Sequence, residues 1–120
     1  MKEVNLMRRI MLAASRAGAT IWRNNAGVAR YPDGSVVRYG VANPGGSDLI
    51  GLRTIEVTPD MVGRKVAVFI AIEVKTPSGR LTDDQRRFLD FVRAAGGIGI
   101  VARSEDDLAP VVSGHIRKSQ

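Results

Sequence analysis

The stretch VAVFIAIEVKTPSG, residues 66–79, decides the fold and poses the chemical question of this chain. Its apolar run, residues 66–72, reads as a strand buried on both faces and continuing to Lys75. Yet the strand ends in Glu73 and Lys75, with a Thr-Pro-Ser-Gly turn directly after. Residues two apart on a strand point to one face, so this carboxylate and ammonium project together. Buried charges are costly unless paired or bound. The pair is therefore either a structural salt bridge at a strand exit or charged chemistry delivered to a site.

Downstream, Thr82-Asp-Asp-Gln85 matches a capping box, with Thr82 at the N-cap and Gln85 at the third helical position. Phe88, Phe91, Val92 and Ala95 follow as an apolar stripe, and Gly96-Gly97 ends the helix. Residues 98–102 (IGIVA) form a last strand, expected to run parallel to the first because a helix separates them. Ser104 is placed to cap a final short helix that carries Glu105, Asp106 and Asp107 in its first turn. Residues 114–120 read as a loose basic tail, with the lone His115 on the surface.

Upstream, residues 2–17 form an amphipathic helix with Leu6, Met7, Ile10 and Ala14 at helical spacing and Gly18 as its C-cap. Glu3 shares that apolar face, where it either complements the helix dipole in a frayed turn or serves a site. Residues 20–23 (TIWR) make a short strand, and Trp22 is expected in the core. Residues 29–38 carry Pro-Asp-Gly-Ser between two β-compatible pieces, a hairpin signal. Asn43-Pro-Gly-Gly-Ser is a turn that leads into Asp48 and a second core strand, and residues 58–65 form another turn. The expected architecture is α/β, a single domain over residues 1–120 built as a sandwich around one mixed sheet.

The chain has 18 Lys and Arg against 12 Asp and Glu, a formal charge of +6, which favours polyanions, nucleic acid before acidic membranes. The absence of cysteine excludes disulfides and thiolate metal sites and fits a reducing compartment. No apolar stretch approaches the ~20 residues of a membrane span, and no signal-peptide h-region opens the chain. A cytoplasmic, intracellular protein without a membrane partner is expected.

Asp48 opens one core strand just after Gly45-Gly46, and Glu73 and Lys75 close the next. If those strands are neighbours, two carboxylates and an ammonium surround one point. Two carboxylates with open positions suit Mg²⁺, which keeps waters for substrate phosphate to displace. The lysine then positions or deprotonates a metal-activated water and stabilises charge on the phosphate.

The pattern Pro44-Gly-Gly-Ser-Asp48-Leu-Ile-Gly51, Ala71-Ile-Glu73-Val-Lys75-Thr and Gly79-Arg-Leu-Thr-Asp-Asp-Gln85 resembles the virus-type replication–repair nuclease (VRR-NUC) domain. That domain is a branch of the PD-(D/E)xK nucleases, and Trp22-Arg-Asn-Asn-Ala-Gly27 is also similar to it. The resemblance implies a restriction-endonuclease-like αβββαβ core, with a central mixed sheet flanked by helices, and cleavage of phosphodiesters with Mg²⁺ or Mn²⁺. It implies Asp48, Glu73 and the backbone carbonyl of Val74 as metal ligands and Lys75 as the catalytic lysine. Gln85 matches the family's glutamine at the helix start, although the capping box claims the same amide, and Glu3 falls where members carry a further acidic residue. Ser47 departs from the pattern, standing where many members have proline. Small stand-alone members imply homodimers that act on branched DNA such as four-way (Holliday) junctions.

Arg23, Asn24, Asn25, Arg30, Arg38 and Arg80 lie beside the first turn, the hairpin and the active-site strand, and suit phosphate contacts that position DNA without reading it. Arg86, Arg87 and Arg93 read as the solvated face of the helix. No base-reading module is visible, so structure-selective cleavage is expected. The rivals are a non-catalytic DNA-binding protein and a sequence-specific restriction-type nuclease.

Overall fold

The computed structural model describes residues 2–112. The expectations for the basic tail and His115 lie outside the described residues. The chain divides by its internal contacts into two compact units, Met1–Arg53 and Thr54–Gln120.

In the first unit, helix α1 spans Glu3–Arg16 and lies against strand β1, Thr20–Arg23. The helix closes at Gly18, whose φ of +97° lies in the left-handed region that glycine enters without strain. Met7, Met11 and Ala14 are half-covered, whereas Leu6 and Ile10 are exposed. The inward line therefore runs 7, 11, 14 rather than through 6 and 10. Strand β2 (Gly27–Arg30) pairs antiparallel with β3 (Val36–Tyr39), in register from Gly27 opposite Tyr39 to Arg30 opposite Val36. The turn between them is stitched by Asp33, whose Oδ1 accepts from Ser35 N–H at 2.8 Å and from Ser35 Oγ at 2.6 Å. β1 pairs antiparallel with β4 (Leu49–Leu52), from Thr20 opposite Leu52 to Arg23 opposite Leu49. Gly51 permits this pairing, since a Cβ there would meet Thr20 O at 1.9 Å.

The second unit is a βαβ element. Strand β5 (Ile70–Val74) pairs parallel with β6 (Ile98–Ala102), as the intervening helix predicted. Helix α2, Asp83–Ala94, packs on both strands, and Thr82 closes the expected capping box with Gln85. Leu89, Val92, Ile98 and Ile100 are its buried apolar side chains. Gly99 lets the helix lie close, because a Cβ there would stand 2.9 Å from Leu89 O. A 3₁₀ turn at Glu105–Leu108 and a short helix α3, Ala109–Val112, follow.

Four expectations are corrected. The hydrogen-bonded strands among the described residues form three two-stranded sheets, β1–β4, β2–β3 and β5–β6, where one mixed sheet was expected. Apolar content reports a strand's capacity for burial; its partner is set by register and turn geometry. The strand read over residues 66–75 shortens to Ile70–Val74, because β6 offers only five partners. That strand is also not buried on both faces: Ile70, Ile72 and Val74 are 43%, 43% and 76% exposed. On α2 the deeply buried line is Leu89 and Val92, while Phe88 and Phe91 of the predicted stripe are 39% and 40% exposed. The architecture is mixed α/β, of small sheets and helices.

Candidate active site

Glu73 is the best-organised of the expected site residues in the second unit. The register that sets Ala71 beside Gly99 and Glu73 beside Val101 puts Ala71 and Glu73 on the α2 face of the strand pair. Gln85 stands four and seven residues before Leu89 and Val92, on the inward line of α2. Its amide therefore reaches the strand: Nε2 donates to Glu73 Oε1 at 2.9 Å. The same amide's Oε1 accepts Thr82 N–H at 3.0 Å, and Gln85 N–H donates to Thr82 Oγ1 at 3.1 Å. Capping and orienting Glu73, which the sequence set in competition, use opposite ends of one amide.

Lys75 Nζ lies 3.8 Å from the same Glu73 oxygen. With side-chain exposures of 32% for Glu73 and 19% for Lys75, the pair is partly sheltered yet reachable. The second oxygen of Glu73 takes no hydrogen bond among the described residues and stays open to a ligand. Lys75 N–H donates to Ala102 O at 3.0 Å, and the N–H and C=O of one trans peptide group point in opposite directions, so the carbonyl of Val74 points to the edge of β5 away from β6. Glu73, Asp84, Gln85 and Phe88 wall an open groove of about 430 Å³ beside β5.

Arg103, which no sequence motif singles out, secures the turn behind this pair. Its guanidinium donates to Thr76 O at 2.7 Å, Pro77 O at 3.3 Å and Gly79 O at 2.6 Å. Asp107 holds the base of that arginine by accepting Arg103 N–H at 2.8 Å. Arg80 follows the fastened turn and is exposed.

In the first unit, Asp48 immediately precedes β4 and is exposed. Its backbone carbonyl accepts Asn24 N–H at 2.8 Å, and its carboxylate has no hydrogen-bond or ion-pair partner among the described residues of its unit. The Asn24 side chain is engaged elsewhere than expected. Its Nδ2 donates to Val41 O at 2.9 Å and Ser47 O at 3.0 Å, and its Oδ1 accepts Val41 N–H at 2.8 Å. These bonds occupy both amide hydrogens and the oxygen, so the backbone already claims the capacity that the sequence assigned to DNA.

The other expected DNA contacts are exposed. Arg23 sits opposite Leu49, next to Asp48, and Asn25 follows. Arg30 and Arg38 are diagonal neighbours on one face of the hairpin, since Arg30 pairs with Val36 and Arg38 with Val28. Arg86 and Arg87 are exposed as the expected solvated helix face, and Arg87 pairs with Asp84, whereas Arg93 departs from it: Arg93 is half-buried, its Nε donates to Gly99 O at 2.9 Å, and it lies 3.5 Å from Asp90. Glu3 is exposed in the first turn of α1, and Trp22 is half-buried in β1.

No group of three or more His, Cys, Asp and Glu gathers among the described residues. The donors that the family pattern names are hard oxygens: an open Glu73 oxygen, an unpartnered Asp48 carboxylate and an outward carbonyl. Each fits a hard divalent cation by its chemistry. No helix of the described residues is long and apolar enough to cross a membrane.

The VRR-NUC domain family matches residues 21–106, a span that holds Asp48, Glu73, Lys75 and Gln85 and leaves Glu3 outside. Curated proteins and solved structures gave no match. Covering well over half of the 120 residues, the family match identifies the chain as a member of the VRR-NUC domain family, a family of nucleases.

Proposed function

We propose that the protein is a divalent-metal-dependent, structure-selective DNA endonuclease. Its substrate is branched DNA such as four-way junctions, met in replication, repair or recombination. The observation that carries this reading is Glu73, oriented through one oxygen by Gln85 and Lys75 and open at the other. A purely structural salt bridge has no use for the glutamine or for the open oxygen.

Asp48, Glu73 and the Val74 carbonyl would hold Mg²⁺ or Mn²⁺ in this reading, with Glu3 as a further acidic candidate. When bound, the cation supplies a Lewis acid for the phosphoryl oxygen and acidifies a water. Gln85 fixes the rotamer of Glu73. Lys75 orients the attacking water and offsets charge that develops on the phosphate. Arg23, Asn25, Arg30, Arg38 and Arg80 contact phosphates, which positions the duplex arms without reading bases. The formal charge of +6 and the absence of a base-reading module support structure over sequence as the basis of selection. The reading includes a homodimer, because paired incisions in a two-fold junction need two active sites.

The test is a cleavage panel of four-way junction, flap, splayed and linear DNA with Mg²⁺ and Mn²⁺. Junction cleavage is expected, with Lys75→Ala and Asp48→Asn about 100-fold slower or worse. Full activity in Lys75→Ala, or no cleavage of any substrate by the wild type, overturns it. Products that map to one motif in linear duplex point to a restriction-type nuclease instead.

A further inference from the structure

We infer that Asn24 is a positioning residue for Asp48, and not a DNA contact; the inference rests on the reading of Asp48 as a metal ligand. Asn24 leaves β1 and meets the segment that delivers Asp48 at three points. Its amide pairs with Val41 through both the N–H and the carbonyl, as a neighbouring strand would, at 2.8 and 2.9 Å. The remaining amide hydrogen holds Ser47 O at 3.0 Å, one residue before Asp48. The Asn24 backbone N–H holds Asp48 O itself at 2.8 Å. Both ends of the segment between β3 and β4 are thereby tied to one residue.

The segment needs such a tie. Ala42 has φ +55°, a left-handed conformation that costs a residue with a Cβ roughly 1–2 kcal/mol. Gly46 is folded so closely over the clamp that a Cβ would meet Val41 O at 1.9 Å and Asn24 Nδ2 at 3.1 Å. Asp48 has no side-chain partner among the described residues of its unit, so its carboxylate is aimed by its backbone, and Asn24 holds that backbone. Partners that orient a ligand commonly change metal affinity by about 10–100-fold when removed.

The experiment measures Mn²⁺ binding to the full chain by calorimetry, beside the KM for junction DNA, in wild type, Asn24→Ala and Asn24→Asp. Asn24→Asp keeps the volume and the bond from Val41 N–H but loses the donors to Val41 O and Ser47 O. Its added charge favours a cation, so weaker Mn²⁺ binding there reports the lost positioning and not electrostatics. The expected result is Mn²⁺ binding about 10-fold weaker in both variants, with the KM for DNA within about 2-fold of wild type. Unchanged Mn²⁺ affinity in a folded variant overturns the inference, and a raised KM with it restores the DNA-contact reading. If Asn24→Ala does not fold, Asn24→Asp alone decides. A wild type that cleaves and binds Mn²⁺ while both variants bind it equally well defeats only this inference. A wild type that takes up no Mn²⁺ defeats the metal reading with it.

Discussion

The two halves of the proposed site are held by different physics. Glu73 stands on a strand pair backed by Leu89, Val92, Ile98 and Ile100, so apolar burial fixes its backbone and one glutamine fixes its rotamer. Asp48 stands at the end of an exposed segment in a unit whose described residues reach no deeper than half-buried; there, hydrogen bonds from the amides of Asn24 and Asn43 stand in for a core. Burial is non-directional and tolerates volume-conserving exchange, whereas an amide clamp requires donors and acceptors at defined points. The Glu73 half should therefore fail by loss of stability, and the Asp48 half by loss of geometry.

The largest effect expected from this contrast is on the core. Leu89→Ala removes a side chain 3% exposed and should lower unfolding free energy by about 2–5 kcal/mol in a denaturant titration. A loss under about 1 kcal/mol would break the claim that burial holds this half. Gln85 tests the smaller polar component. Gln85→Ala should cost about 0.5–2 kcal/mol through the lost cap. Gln85→Glu keeps the acceptor for Thr82 N–H but loses the donor to Glu73, so it should slow cleavage about 10-fold or more with much of the cap retained. Unchanged cleavage in Gln85→Glu removes the orienting role and leaves only the cap.

The smallest effect lies in the hairpin of the other half. The Ser35 hydroxyl, then its N–H, hold the Asp33 carboxyl below the ordinary 3.8. A depressed folded pKa contributes stability that is present above 3.8 and is lost as pH falls through the folded value. An NMR titration should find the Asp33 midpoint below 3.8, with the turn loosening only in more acidic solution. A midpoint at or above 3.8 contradicts the hydrogen-bonded turn.

Local chemistry was legible in the sequence wherever partners lie within one turn of chain. The Thr82–Gln85 box, the Gly18 helix end and the Pro-Asp-Gly-Ser turn follow from spacing of a few residues, and the parallel crossover follows from the helix that separates its strands. The pairing of Glu73 with Lys75 followed from strand alternation alone. Gln85 needed one further step: the buried line of α2 runs 85, 89, 92, and assigning the apolar stripe to Phe88 and Phe91 hid it. Asn24 and Arg103 were illegible for a different reason. Val41 and Ser47 lie 17 and 23 residues from Asn24, and the carbonyls held by Arg103 lie 24–27 residues away. Backbone carbonyls carry no residue type, so no pattern of side chains announces them.

The clasp made by Arg103 has a consequence for how this part of the chain moves. One guanidinium ties the exit of β5 to the exit of β6, which closes the strand–helix–strand passage into a ring through side-chain bonds. Freeing α2 from the strands would release little chain entropy while both ends stay tied, because the loop remains closed. Helix, turn and the lysine-bearing strand end therefore open together as one cooperative unit or not at all. The turn beside Lys75 inherits the lifetime of the helix, and not that of an ordinary surface loop.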